Sequence, residues 1–407
     1  MTEMTNSPNI NAAIFSFNWL GVSETFIFRQ TEYLWSQGNN SVIILTENLV
    51  KSDLIENSNT QHKAVRVYHR PQKKRDFYLG IIQRKLMLKK NLYGAFADQK
   101  RHWRQAIAEN HSRIIHAHYG TGGLKILPVA KTLNIPLVTT FHGNDASAML
   151  RKKAYLRSLK ELFNYSYIIA VSHFIKKRLI NLGAPEQRIF THYIGTDLNR
   201  FQFTKRVPPN IKYKEQGVLN FIQISNFVEK KGHKYTIDAF SRLLRTFPNC
   251  VLHLGGDGPL KKELEAQVKR LGIEDNVLFL GKVSPTKVPR YFEEADVFLH
   301  HSVTGTDGSE EGIPTVIMEA MASGLPVVST RHAGIPELIE HGHSGYLVTE
   351  KDIDEYHNTL LSLFDDQAVN IADNAREKID RDFNMSKQNK KLTEIYRIIF
   401  DVDSTIR

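Results

Sequence analysis

The sequence predicts an α/β protein built from two successive parallel sheets of the doubly wound type. Short apolar runs alternate with helical stretches along most of the chain, which favours parallel strands joined by helices. The runs end in glycine or polar residues, as expected where ligands bind at the carboxyl ends of the strands. The pattern stops in a linker that contains Pro208 and Pro209, and then restarts.

Size and composition place the chain among globular proteins with more than one domain. It has 407 residues, of which 41% are hydrophobic and 24% are charged. A chain of this kind buries a sizeable core, and a disordered protein is excluded. We assign residues 1–200 to a first domain, residues 201–383 to a second domain and residues 384–407 to a final helix.

Three features predict a cytoplasmic protein. No run reaches the 18 or so apolar residues that span a bilayer, and the N-terminus lacks the pattern of a secretory signal. Cys250 is the only cysteine, which fits a reducing compartment without disulfides; we interpret it as a small buried hydrophobe rather than a nucleophile. Peripheral attachment to the inner face of the plasma membrane stays open as an alternative.

Positive charge is concentrated in the first half of the chain. Residues 1–200 carry 28 lysines and arginines against 13 aspartates and glutamates, whereas the remainder has a net charge of −4. Residues 70–104 are densely basic and also rich in aromatic and aliphatic side chains. They are either amphipathic helices with a solvated basic face, or a docking segment for an anionic membrane surface. Nucleic-acid binding is not predicted, because no nucleic-acid fold is recognisable.

The first half begins with a strand and a helix over residues 24–36, for which Ser23 is the expected cap. The predicted strands of this half lie at residues 12–17, 42–46, 113–118, 137–141, 167–171 and 189–195. Three of them end in polar runs that carry His118, His142 and His173. The carboxylates and the fixed spacing of a zinc motif are missing, so no metal site is predicted and a structural role stays open for each histidine.

The second half restarts after a linker at residues 197–214. Its predicted strands lie at residues 219–225, 250–254, 277–280, 297–300, from 327 onward, and 346–348. Its predicted helices lie at residues 235–246, 352–365, 368–383 and 386–400. Two Asp-x-Asp pairs, at 352–354 and 401–403, have the form of metal ligands. We interpret the first as a helix cap and the second as part of a C-terminal tail.

The most informative stretch, residues 309–328, predicts a loop, a helix, a tight turn and a strand. Pro314 suits the first helical position and Gly324 a left-handed helix end. Glu311 precedes the helix, and Glu319 lies one turn inside it. The free N–H groups at this helix start form an anion site, and an anion flanked by two hydroxyl-accepting carboxylates suits a sugar nucleotide. The alternative is a surface helix with incidental acids.

These motifs resemble those of the retaining glycosyltransferases of family 4. The E-x7-E pattern from Glu311 to Glu319 carries the resemblance, with its continuation at residues 324–328 and 334–339. Further matching positions are Lys231-Gly232, Gly256-Asp257-Gly258-Pro259, Gly281, Ser23-Glu24-Thr25-Phe26, His116-Ala117-His118 and Thr140-Phe141-His142-Gly143. The N-terminal motifs are similar to those of the exopolysaccharide branch of the family, the colanic-acid-type transferases.

The resemblance implies the GT-B fold, in which two Rossmann-like doubly wound domains face each other across a cleft. The first domain would bind the acceptor and the second the nucleotide sugar, and the last helix would cross back onto the first domain. The implied donor is a UDP- or GDP-sugar, and the implied acceptor a glycan or a lipid-linked glycan. No cofactor and no metal are implied.

The resemblance also assigns roles to individual residues. Those nearest the reaction would be Glu311, which contacts the donor sugar, His142, which reaches towards the sugar and phosphate, and Lys231, which binds the diphosphate. The remaining donor-binding residues would be Glu319 for the ribose, Gly312, Ile313, Pro314 and Thr315 for the diphosphate, and Asn226, Gly256 and Val283. The acceptor-binding residues would be Ser23, Glu24 and His118.

One position departs from the family pattern. Asn226 stands where the family usually has an arginine after the strand before Lys231, so one phosphate-binding cation is either absent or supplied by Lys230 or Arg331. The expected function is transfer of a sugar with retention of configuration, in surface polysaccharide synthesis. The alternatives are a GT-B epimerase or phosphorylase, and a degenerate protein that binds sugar nucleotides without turning them over.

Overall fold

The computed structural model describes residues 10–19, 25–36, 40–49, 66–70, 93–365 and 370–406. The chain divides into two units, each with its own parallel sheet. The first unit consists of Met1–Val171, Ile175–His192 and Asn389–Arg407, and the second of Ser172–Phe174 and Tyr193–Gln388. Within the described residues, no helix has both the length and the apolar character needed to cross a membrane.

The sheet of the first unit has the strand order β3-β2-β1-β4-β5-β6-β7, and all its described pairs are parallel. Its strands are β1 (Asn11–Trp19), β2 (Ser41–Leu49), β3 (Arg66–His69), β4 (Ile114–His118), β5 (Leu137–Phe141), β6 (Tyr167–Ala170) and β7 (Ile189–Thr191). The intervening helices are α1 (Thr25–Ser36), α2 (Ala97–Glu109), α3 (Gly120–Leu133), α4 (Lys153–Tyr165) and α5 (His173–Asn181). The central strands β4, β5 and β6 are buried along their whole length, which is typical of a parallel sheet covered on both faces.

The sheet of the second unit has the order β10-β9-β8-β11-β12-β13 and is also parallel throughout. Its strands are β8 (Leu219–Ile224), β9 (Cys250–Gly255), β10 (Val277–Gly281), β11 (Val297–His300), β12 (Val327–Thr330) and β13 (Tyr346–Val348). Its helices are α6 (Pro209–Gln216), α7 (His233–Leu243), α8 (Lys261–Leu271), α9 (Val288–Glu294), α10 (Thr315–Ala322), α11 (Ile335–Leu338), α12 (Ile353–Ser362) and α13 (Ile371–Asp382).

Both sheets have a point at which the strand order reverses. In the first sheet the chain runs outward from β1 to β3 and then returns to place β4 beside β1. In the second sheet it runs outward from β8 to β10 and returns to place β11 beside β8. Ligands of open α/β sheets bind at such reversal points, outside the carboxyl ends of the two central strands. The loops after β8 and β11 are therefore where a site is expected in the second unit.

The last helix, α14 (Met385–Ile406), belongs to the first unit from Asn389 onward. Its side chains Leu392, Ile395, Tyr396, Ile399 and Phe400 are buried in the same core cluster as strand residues of the first sheet. The Tyr396 hydroxyl also lies 2.6 Å from Nδ1 of His116. The final helix therefore packs on the unit that the resemblance implied.

The described part of the basic stretch has its apolar side in the core. Helix α2 buries Gln99, Trp103, Ala106 and Ile107, while Arg101 and Arg104 face solvent on its other side. For this helix the interpretation as a solvated face over a buried one is correct. Residues 71–92, on which most of the membrane prediction depends, lie outside the described residues.

Several predicted elements differ from the structure. Strand β3 was not predicted, because it is a four-residue edge strand with no fully buried residue and so lacks an apolar run. The predicted strand at 189–195 ends at Thr191. The supposed linker at 197–214 contains the start of α6, because Pro209 occupies the first turn of a helix.

Two motif assignments were also wrong in detail. Pro314 is the N-cap of α10 rather than its first helical residue, with an extended backbone (ψ 119°). Asp401 and Asp403 lie in helix α14 and not in a tail. Asp352 does cap a helix, since its carboxylate accepts a hydrogen bond from the backbone N–H of Glu355 at 2.8 Å.

Candidate active site

Glu311 and two lysines form a buried charge cluster at the reversal point of the second sheet. Lys231 follows β8, and Glu311 lies in the loop that leaves β11. Nζ of Lys231 is 3.0 Å from Oε1 of Glu311, and Nζ of Lys230 is 3.5 Å from the same atom. The Glu311 side chain is only 9% exposed and that of Lys231 16%. Two ammonium groups therefore share one buried carboxylate, and the cluster has a net charge of +1.

Burial raises the pKa of Glu311, but the charges of Lys231 and Lys230 outweigh burial and hold that pKa well below its usual range. Burial lowers the pKa of Lys231, and Lys230 lowers it further, while Glu311 opposes both effects. Glu311 is thus an ionised hydrogen-bond acceptor at neutral pH. A group so strongly ionised is suited to accepting hydrogen bonds from hydroxyls and unsuited to donating a proton.

The backbone around Lys231 depends on a glycine. Gly232 has a φ of +62°, and a Cβ atom there would lie 1.7 Å from the carbonyl oxygen of His301. Only glycine fits, because both the backbone conformation and the close approach exclude a side chain. The amide of Gln223 on β8 also donates to the carbonyl of Lys231 at 2.8 Å. The lysine is therefore placed by a tight turn directly beside the two central strands.

Helix α10 starts next to this cluster, and no side chain among the described residues caps it. The N–H of Ile317 donates to the carbonyl of Pro314 at 3.2 Å, whereas Pro314 offers no side-chain acceptor to the N–H groups of Thr315 and Val316, which gives this helix start the character of an anion site. The carbonyl of Gly312 accepts a hydrogen bond from the N–H of Gly334 at 3.2 Å, which fixes the loop before the helix. Gly324 ends the helix region with a φ of +80°, as predicted.

Glu319 lies on the same helix and has a different electrostatic environment. Its side chain is half-buried, and burial raises its pKa to about 7, although the charge of Arg200 acts in the opposite direction. Arg200 also donates a hydrogen bond to the carbonyl of Pro285. Glu311 and Glu319 therefore differ strongly in acidity, because Glu311 is ionised at neutral pH whereas the pKa of Glu319 is about 7.

Three further predicted donor-site residues lie at the ends of neighbouring strands. Gly256, after β9, donates its N–H to the carbonyl of Gly281 at 2.8 Å. A Cβ at Gly256 would lie 2.0 Å from the carbonyl oxygen of Ser225, next to Asn226, and a Cβ at Gly255 would lie 2.9 Å from Val283. The structure thus brings Asn226, Gly256 and Val283 together at the carboxyl edge of β8, β9 and β10.

Of the two candidate replacement cations for the missing arginine, Lys230 lies in the Glu311 cluster, whereas Arg331 is paired with a different carboxylate. Arg331 is bound to Glu355, with Nη1 2.8 Å from Oε1. Lys230 instead faces Glu311 and the carbonyl of Glu310, which lies 3.4 Å from its Nζ. Asn226 is exposed.

In the first unit, three histidines form a stack at the ends of β4 and β5. The rings of His116 and His118 are 4.6 Å apart, and those of His118 and His142 are 5.3 Å apart. Nδ1 of His118 lies 3.1 Å from Nε2 of His142, while Nε2 of His118 and Nδ1 of His142 are buried without a hydrogen-bond partner among the residues that the structure describes. Burial lowers the pKa of all three, to about 3 for His142 with the help of His116. The stack is therefore neutral.

Asp145 holds the loop that carries His142. Its carboxylate accepts backbone N–H groups from His142 and Gly143, both at 3.0 Å, and from Gly120 at 2.8 Å. Burial raises the pKa of Asp145, and these hydrogen bonds oppose the shift. The role of Asp145 in positioning this loop depends on its contact with Gly120, 25 residues away in the chain, which the sequence alone does not reveal.

The predicted acceptor residues Ser23 and Glu24 lie outside the described residues, and His118 belongs to the histidine stack. Across the ranges that the structure describes, no group of three or more histidine, cysteine, aspartate or glutamate side chains has an arrangement suited to a metal ion. Sequence reasoning missed His332, whose ring contacts the backbone of Glu311, and Arg200. Neither carries a local motif signal.

Comparison with known proteins assigns each half of the chain to a glycosyltransferase family model. The family described as "Glycosyltransferase Family 4" matches residues 24–200, and the family described as "Glycosyl transferases group 1" matches residues 209–381. A protein of Salmonella typhimurium named colanic acid biosynthesis glycosyltransferase WcaL is 33% identical over 289 residues, which cover 70% of each chain. The amylovoran biosynthesis glycosyltransferase AmsK of Erwinia amylovora is 33% identical and covers 69% of each chain.

Solved structures with the same fold cover nearly the whole chain. Anabaena HepE, crystallised with UDP and glucose, superposes with a TM-score of 0.74 at 22% identity, over 96% of this chain and 100% of that one. Sucrose-phosphate synthase of Thermosynechococcus elongatus gives a TM-score of 0.73 at 18% identity, over 97% and 100%. The fold and the relatives agree with the family that the motifs predicted. The chain belongs to the family 4 glycosyltransferases of the GT-B fold.

Proposed function

We propose that the protein transfers a sugar from a UDP- or GDP-sugar to a glycan or lipid-linked acceptor, with retention of configuration, in the synthesis of a surface polysaccharide. The observation that carries this proposal is the cluster of Glu311, Lys231 and Lys230 beside the uncapped start of α10. The names of WcaL and AmsK, which refer to colanic acid and amylovoran, support the polysaccharide part. The UDP-glucose complex of HepE supports the donor class.

The chemistry of the donor site follows from its charges. Departure of a nucleoside diphosphate places negative charge on the β-phosphate. Lys231, Lys230 and the N–H groups at the start of α10 supply fixed positive charge at that point, which lowers the barrier because it needs no reorganisation. We expect these groups to act without a metal ion. Glu311, fully ionised, accepts hydrogen bonds from the hydroxyls of the donor sugar, and Glu319 accepts them from the ribose.

In this proposal the acceptor hydroxyl attacks the anomeric carbon from the face that the diphosphate leaves, so the configuration is retained. The departing phosphate oxygen takes the proton of the acceptor hydroxyl, so neither glutamate has to be a nucleophile, unlike the paired carboxyls of retaining glycosidases. The strong ionisation of Glu311 by two lysines agrees with a binding role.

The experiment is transfer from a panel of uridine, guanosine and adenosine diphosphate sugars to a lipid-linked glycan acceptor, followed by NMR of the product's anomeric proton. The donor is chosen beforehand by thermal shift, because a ligand that binds only the native state raises its stability. Transfer with the donor's anomeric configuration is expected. An inverted product contradicts the retaining mechanism, turnover without acceptor favours the epimerase, and binding without turnover favours the degenerate protein.

A further inference from the structure

The backbone of Glu311 is hydrogen-bonded to a histidine that no sequence motif predicts. His332 follows β12 and is 1% exposed. Its Nε2 atom accepts a hydrogen bond from the backbone N–H of Glu311 at 3.1 Å, and its Nδ1 atom lies 2.6 Å from Oε1 of Glu350. The imidazole thus bridges the backbone of Glu311 and a carboxylate at the end of β13.

This geometry determines which ring nitrogen carries the proton. The N–H of Glu311 is a donor, so Nε2 of His332 must offer its lone pair. In the neutral ring the proton is then on Nδ1, where it is donated to Glu350. Glu350 therefore selects the tautomer that can hold Glu311, in the way that carboxylates orient histidines bound to metals. A proton on Nε2 would turn two donors towards each other.

Glu350 and the turn after β12 hold the same loop at other points. The second carboxylate oxygen of Glu350 accepts the backbone N–H of Thr304 at 2.8 Å, near the start of the loop that leads to Glu311. The N–H of Gly334 donates to the carbonyl of Gly312 at 3.2 Å. Both ends of the loop are thereby hydrogen-bonded to the segments that follow β12 and β13.

We propose that His332 and Glu350 form a positioning pair, in which Glu350 holds His332 as the Nδ1–H tautomer and His332 holds the backbone of Glu311 at the donor-sugar position. His332 does not touch the donor and is a positioning residue. This inference rests on the proposed function in one respect, since it assigns a consequence for transfer to the placement of Glu311. The tautomer itself does not depend on what the protein transfers.

Two substitutions at position 332 separate the two hydrogen bonds. In His332→Gln the side-chain oxygen takes the place of Nε2 and accepts the N–H of Glu311. In His332→Asn the amide nitrogen takes the place of Nδ1 and donates to Glu350, but nothing reaches Glu311. A positioning role predicts that the glutamine variant keeps kcat of transfer within a few-fold, whereas the asparagine variant loses up to about 100-fold, because small misplacements near the reacting groups have large effects.

Binding of UDP or GDP, measured by calorimetry, separates positioning from general damage. The free nucleotide lacks the sugar that Glu311 would hold, so its Kd should change by no more than a few-fold in both variants, far less than kcat in His332→Asn. Equal loss of kcat in the glutamine and asparagine variants would overturn the proposal. So would a weaker UDP or GDP affinity that accounts for the whole loss of transfer in His332→Asn.

Histidine nitrogen NMR of the wild-type protein tests the tautomer without any activity. The His332 signals, assigned by their loss in His332→Gln, should show a protonated Nδ1 and an unprotonated Nε2 at pH 7.5. An Nε2–H tautomer or an imidazolium would overturn the inference even if transfer is found. A protein that shows the expected tautomer but transfers no sugar would contradict the proposed function and leave the positioning pair standing.

Discussion

Replacing Lys231 by methionine should destabilise the second unit by roughly 3 kcal/mol at pH 7.5. Removing one partner of a buried ion pair leaves an uncompensated charge, an effect of about 3–5 kcal/mol. The lower end applies here because Lys230 stays 3.5 Å from Glu311 and Lys231 is 16% exposed. For a unit of this size, about 3 kcal/mol corresponds to a decrease in Tm of roughly 6–12 °C.

The loss of stability in Lys231→Met should depend on pH in one direction. The folded-state pKa of Glu311 lies below its ordinary value of 4.5, so its stabilising ionisation is present above pH 4.5 and is lost as the pH falls through the folded pKa. In Lys231→Met this contribution is smaller. The difference in stability between wild type and variant should therefore be largest at neutral pH and should shrink below pH 4.5.

The measurement can be assigned to one unit, because the three tryptophans, Trp19, Trp35 and Trp103, all lie in the first unit. Urea unfolding followed by far-UV circular dichroism reports both units, whereas tryptophan fluorescence reports the first. Lys231→Met should move the dichroism transition of the second unit. The matched control is Lys234→Met, which removes an exposed lysine three residues away and should change stability by less than about 0.5 kcal/mol.

A double-mutant cycle decides whether the ion pair is the cause. Lys231→Met combined with Glu311→Gln removes both charges, so the double variant should be less destabilised than the two single variants added together, by roughly 2 kcal/mol. Additive effects would contradict the assigned ion pair, because they would mean that the two side chains do not interact. An unchanged dichroism transition in Lys231→Met would refute it as well.

The remaining predictions concern binding. Asn226→Arg should lower the donor KM by about tenfold. If Lys230 replaces the missing cation, Lys230→Ala should raise the donor KM more in the wild-type protein than in the Asn226→Arg variant. Equal effects in the two backgrounds would mean that Lys230 does not replace that cation. Burial raises the pKa of Glu319 to about 7, and ribose binding needs the ionised carboxylate. The donor KM should therefore rise about tenfold from pH 8 to pH 6, and Glu319→Gln should abolish this pH dependence. Charge reversal at 73–75 and 89–90 should reduce sedimentation with anionic liposomes, and unchanged sedimentation would favour a solvated face.

The sequence was most informative where the signals are local. The loop, helix, turn and strand around Glu311 were recognisable because Pro314, Gly324 and the apolar run that begins at Val327 are close together in the chain. The same locality explains the error at Pro314, since N-cap and first-turn prolines have the same sequence signal and differ only in ψ. Short edge strands such as β3 bury too little apolar surface to produce a pattern.

The contacts that give the site its electrostatic character could not be predicted, because they join distant segments. Lys230 and Glu311 are 81 positions apart in the chain, and Glu311 and His332 are 21 apart, so their pairing depends on the strand order β8-β11-β12. From the sequence, Lys230 was expected after a strand and Glu311 in the loop before a helix, but nothing placed the two side by side, and His332 was not singled out. The resemblance supplied roles for Glu311 and Lys231, whereas His332 and Arg200 needed the structure.

The most direct test of the donor site is a crystal structure with bound UDP or GDP, chosen by the thermal-shift panel. We expect the diphosphate to accept hydrogen bonds from the N–H groups of Gly312, Ile313 and Thr315 and to lie within hydrogen-bond distance of Lys231, with the ribose hydroxyls on the Glu319 carboxylate. A nucleotide bound elsewhere, or one with its diphosphate away from both Lys231 and the start of α10, would contradict the proposed donor site.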